Sequence, residues 1–135
     1  MDISKIDTER AQDEEGVEVK ITAKNGEPDL ASDGTQTTIT VVGVESDRYR
    51  KAVDRQTRKL LRNRRNQPEP ADIRADRIEL AAAAVIAWHG FEDNGKEVPC
   101  TLENVRAVLR AQYILEQVET GIQGHADFFV QSSGS

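Results

Sequence analysis

One cysteine, Cys100, stands in a chain of 135 residues. No intramolecular disulfide can form, and a reducing compartment is the simple reading. Histidine is nearly as scarce. His89, His125 and Cys100 lie in three separate segments without pairwise ligand spacing, which argues against a metal site. Aromatic residues make up only 4% of the chain, so few rings are available to stack on bases. No run is long and apolar enough to span a bilayer, and residues 1–16 lack the apolar core of a secretory signal. Neither GxGxxG nor GxxxxGK occurs, so no phosphate-cradling loop is signalled. No Ser, Thr or Cys stands in a pattern that supplies a base and an orienter. The expectation is a soluble, intracellular, non-enzymatic protein with no cofactor and no membrane contact.

What is present is a lopsided charge. The chain carries −6 overall, yet residues 46–66 hold nine of the eighteen basic side chains and only two acids, Asp47 and Asp54. That segment sums to +7 and the remainder to −13. Surfaces of opposite sign on one chain can meet in neighbouring copies.

Residues 1–16 are polar and acidic and predict a flexible leader. "VEVKITA" alternates, with Val17, Val19, Ile21 and Ala23 on one side, and reads as a half-buried strand. "TQTTITVVGV" is rich in β-branched residues and reads as its antiparallel partner in a hairpin over 17–44. Ser46 is a good N-cap for a helix over 46–66, about 30 Å long at 1.5 Å per residue. On that helix Tyr49, Val53 and Leu60 share one narrow face, and Lys51, Arg55, Arg58 and Arg62 share the opposite one. Pro68 and Pro70 end it. A second helix is expected over 71–89, where "LAAAAVIAW" is apolar on nearly every side and therefore buried. Thr101 caps a third over 101–110, and a fourth over 112–129 carries Ile114, Val118, Ile122 and Phe129 at helical spacing. Residues 131–135 read as a flexible tail. The expected fold is a single helix-dominant α+β domain over 17–130, an N-terminal β-hairpin followed by about four helices.

Three features invite a chemical reading. The basic helix suits phosphates, but no helix-turn-helix pattern surrounds it, and its one aromatic residue lies on the apolar face, which argues against nucleic acid. Cys100 lies between Pro99 and an N-cap, a setting able to lower a thiol pKa; the plainer reading is a small residue beside a turn. Trp88, followed by Gly90 and Phe91, fits either a core position or an interface anchor.

Two stretches together carry a resemblance. The first is "ITVVGVESDRYRKAVDRQTRK", a strand ending in Gly43 that leads through Ser46 and Asp47 into the basic helix. The second is "AWHGFEDNGKEVPCTLENVRAVL", with Trp88, Gly90, Phe91, Gly95, Pro99, Thr101, Glu103 and Asn104, followed by "EQVETGI" and a terminal "FF". This order, over about residues 39–129, resembles tail assembly chaperones of long-tailed bacteriophages. Cys100 departs from the apolar or aromatic residue common there, and the acidic leader lies outside the pattern.

The resemblance implies a chaperone that binds the long helical tape measure protein and keeps it soluble while the tail tube grows. It implies a place in the cytoplasm of an infected or lysogenic bacterial host, and absence from the mature virion. It also implies contact with the tail tube protein through a longer form made by programmed frameshifting. On that reading the basic face of Lys51, Arg55, Arg58 and Arg62 serves self-association into a ring or spiral. Ala83, Ala84, Trp88, Phe91, Ile114, Val118 and Ile122 are then candidates for partner binding. The alternatives are a small nucleic-acid-associated adaptor using helix 46–66, or a connector or minor tail protein that stays in the particle.

Overall fold

The computed structural model describes residues 2–63 and 69–124. The ends of two expected helices, at 64–66 and 125–129, and the tail over 131–135 lie outside the described residues, as does His125. In chain order the elements are α1 (Ile3–Glu15), β1 (Val17–Lys20), β2 (Thr38–Val41), α2 (Asp47–Arg62), α3 (Pro70–Ala84), β3 (Val85–His89), β4 (Glu92–Asp93), β5 (Lys96–Glu97), α4 (Leu102–Leu109) and α5 (Gln112–Gln123). The helix-dominant α+β class holds, with five helices among the described residues rather than four.

The expected hairpin forms. β1 and β2 pair antiparallel with Val17 opposite Val41 and Val19 opposite Ile39. Alternation puts Val19, Ile39 and Val41 into the core and leaves Glu18 and Lys20 exposed. β2 is the central strand of three, because β3 pairs with its other edge. Here the sequence reading needs correction. Helix 71–89 stops at Ala84, and residues 85–89 are a strand. A short apolar run looks the same by periodicity whether it is a buried helix or a strand, and the open edge of β2 decides the matter. Its backbone groups need partners, and Val85, Ile86 and Trp88 are good strand formers. Thr40 faces Ala87 and Val41 faces Val85, so Ile86 is the extra residue of a bulge.

The helices cover one face of this sheet. α5 lies on β1 and β2 and brings Leu115, Val118 and Ile122 onto Val19, Ile39 and Val41. α3 lies beside α2, α4 and α5, and its alanines Ala81, Ala82 and Ala84 let the neighbours approach closely. Two forked ion pairs fix these neighbours. Arg77 grips Glu119 of α5 at 3.0 and 2.5 Å, and Arg106 of α4 grips Glu79 at 2.7 and 3.1 Å.

Residues 1–16 also differ from expectation, because α1 is a helix. Asp2 caps it by accepting from the Ser4 N–H. At its other end Asp13, 8% exposed, accepts from the Glu45 N–H at 2.9 Å, and Glu14 accepts from the Asp47 N–H at 2.8 Å. These amides lie at the start of α2, where free N–H groups and the helix dipole favour carboxylates. The acidity that argued against burial is what docks the segment. Asp13→Ala is expected to cost about 1–2 kcal/mol, the range for a lost N-terminal cap. A shift of the urea midpoint followed through Trp88 fluorescence checks it.

Candidate functional site

The residues from Trp88 to Asn104 form one connected turn. Gly90 has φ +92°, and a Cβ there would sit 2.7 Å from the Thr37 hydroxyl. Trp88 and Phe91 stack at 4.5 Å, and the Trp88 Nε1–H donates to the Val98 carbonyl at 2.8 Å. Asn94 and Gly95 both have positive φ, 53° and 79°, as a two-residue hairpin turn between β4 and β5 requires. Thr101 accepts from the Asn104 N–H, and the Asn104 side chain donates to the Pro99 carbonyl at 2.9 Å. Each of these side chains is therefore used to shape the passage from β3 to α4. Trp88 and Phe91 are half-buried against the core.

The remaining partner-binding candidates separate sharply. Ala84, Ile114, Val118 and Ile122 are buried in the core and offer nothing to a partner. α5 turns the stripe of Ile114, Val118 and Ile122 onto the core. Ala83 is half-buried and lines an open groove.

That groove, about 550 Å³, runs between α2, α3, β3 and α4. Its floor is apolar, with Ala82, Ala83, Val85, Ile86 and Leu102. One wall is cationic, with Arg48, Lys51 and Arg55. None of these three cations makes an ion pair among the described residues. Arg106 and Glu79 also line the groove but neutralise each other. Of the expected basic face, Lys51 and Arg55 belong to the groove, while Arg58 and Arg62 lie farther along α2 and are exposed. Arg48 was missed. Its angular position on the helix, next to Arg55, was the available signal. The floor had no sequence signal, because it is assembled from three elements.

Cys100 sits at the same groove. Partial burial pushes its thiol above the ordinary value, and Arg48 only partly opposes this. The thiol is thus held in its protonated form rather than activated.

A second surface lies at the far end of the α2–α3 pair. α2 meets α3 through Ala52, Tyr49 and Gln56, with the Gln56 amide donating to the Asp76 carbonyl at 2.6 Å. This rotates the helix away from the narrow face expected from sequence. Val53 and Leu60 are exposed, as are Leu61 of α2 (63%) and Ile73 of α3 (50%).

Among the described residues no helix is long and apolar enough to cross a membrane, and no three His, Cys, Asp or Glu side chains gather as metal ligands do. No protein-family model, curated protein or solved structure matches this chain.

Proposed function

We propose that this protein is a tail assembly chaperone that binds the helical tape measure protein of a long-tailed phage, keeps it soluble during tail growth, and is absent from the finished particle. The observation that carries the reading is the exposure of the aliphatic side chains Val53, Leu60 and Leu61 on α2 and Ile73 on α3. Val53 and Leu60 are seven residues apart, so they stand on one line of α2, about 10 Å from each other. A partner helix laid along that line would bury its own apolar stripe on them. An uncovered tape measure protein presents such stripes and would aggregate without a cover. Aliphatic side chains make no directional demand on what covers them, so they accept many partner sequences along a long molecule. Contact with the tail tube protein, through a frameshifted longer form, belongs to the same proposal.

The test is co-expression with the long helical protein encoded beside this one. The partner is expected to become soluble and to co-purify. Leu60→Glu/Leu61→Glu should reduce recovery several-fold while leaving the melting temperature of the chaperone unchanged, because both side chains face solvent. A partner that stays insoluble with the wild type, or that is recovered equally with the variant, would overturn the proposal.

A further inference from the structure

α1 has an unusual place in the fold. Among the described residues the side-chain bonds that fasten it to the rest of the fold lie in its last turn, at Asp13 and Glu14, while Ile3 at its other end faces solvent. A free helix of thirteen residues is marginal in water. On a helical projection Ile3 and Ile6 share one face, and Asp2 and Asp7 flank that face on its two sides. Ile3 is 74% exposed and Ile6 39%, so this apolar, acid-flanked face is open to solvent, most of all at Ile3. The groove described above has the opposite character. Its floor is apolar, and its α2 wall carries Arg48, Lys51 and Arg55, which have no ion-pair partner among the described residues.

We infer that the groove is occupied by α1 of a second copy of this chain. Ile3 and Ile6 enter the floor over Ala82, Ala83 and Leu102, and Asp7 meets the α2 cations. The chain cannot fill its own groove with α1, because the Asp13 and Glu14 bonds fix the last turn and leave Ile3 facing solvent. The contact joins two different surfaces, so each copy gives one helix and receives one. Such head-to-tail contacts extend or close into a ring. The inference rests on this geometry alone and stands or falls independently of tape measure binding.

Two variants separate giving from receiving. Arg48→Glu/Lys51→Glu/Arg55→Glu can give α1 but not receive it. Ile3→Ser/Ile6→Ser/Asp7→Lys can receive but not give. Both leave Asp13, Glu14 and the core untouched, and circular dichroism checks their folding. By light scattering, the wild type should be heavier than one chain. Its mass should rise over about a hundredfold range of concentration. It should fall towards one chain near 1 M salt, where charges are screened beyond about 3 Å. Each variant alone should be a monomer, and their equimolar mixture should form a dimer and stop there. A wild type that is one chain at every concentration and salt overturns the inference, whatever the variants do. So does a folded variant that keeps the wild-type mass, or a mixture of folded variants that stays monomeric.

Discussion

Leu115→Ala is expected to destabilise the protein by about 3–4 kcal/mol, within the range for deleting a fully enclosed leucine. Leu115 is 0% exposed and lies on α5 between the sheet and α3. Two terms add. The lost methylene and methyl groups forfeit their transfer free energy, and the vacated space is lined by groups that cannot collapse into it. The sheet cannot move inward, because β2 is held on both edges. α3 cannot either, because Arg77 holds it to Glu119 one turn along α5. A domain of this size has roughly 5–15 kcal/mol in all, so the variant should lose a large fraction of its stability. Urea unfolding with an unchanged slope is the measurement. Leu60→Ala supplies the contrast: its side chain is mostly in water, and a loss within about 0.5 kcal/mol is expected.

Gly121→Ala should destabilise by about 1–3 kcal/mol, the usual cost of overpacking, although the same change in an open helix stabilises. Gly121 is in α5, where a Cβ would overlap the Val19 Cγ2 of β1. The helix must then lift from the sheet or Val19 must leave its rotamer. Lifting is opposed by a second tether. The Gln117 side chain accepts from the Thr22 N–H at 2.8 Å and donates to the Thr22 carbonyl at 3.0 Å. The cause can be isolated with Val19→Ala, which clears the space. In a double-mutant cycle the two changes should couple favourably by about 1 kcal/mol or more. Purely additive losses would show that the glycine serves some need other than close approach.

These two residues show how unevenly the fold can be read from the chain. The spacing of Ile114, Val118 and Ile122 marks α5 and its inward face, and the alternation around Val19 marks β1. The purpose of Gly121 is not visible, since it reads as a weak point in a helix until the strand beneath it is known. "LAAAAVIAW" is apolar throughout although Ile86 and Ala87 of β3 are exposed, and α3 passes directly into that strand, so its hydropathy carries no mark of the boundary at Val85. α1 is hidden for another reason. Its acids look like solvated surface, and only the folded chain brings Asp13 and Glu14 to the open amides of α2. The groove is the least legible part. Its cations are plain in the sequence, but its floor comes from Ala82, Ala83, Val85, Ile86 and the distant Leu102, which meet only when the helices are packed.

The junction at Val85 also has a mechanical consequence. Most connections between a helix and a strand contain several residues of slack. Here α3 ends at Ala84 and β3 begins at Val85. A load that tilts α3 at its Ile73 end acts on a stiff rod clamped to a sheet. The lever's far end is the bulge at Ile86, which also belongs to the floor of the groove. A load applied to α3 at Ile73 would therefore be felt at the groove, with no loop between them to absorb the strain.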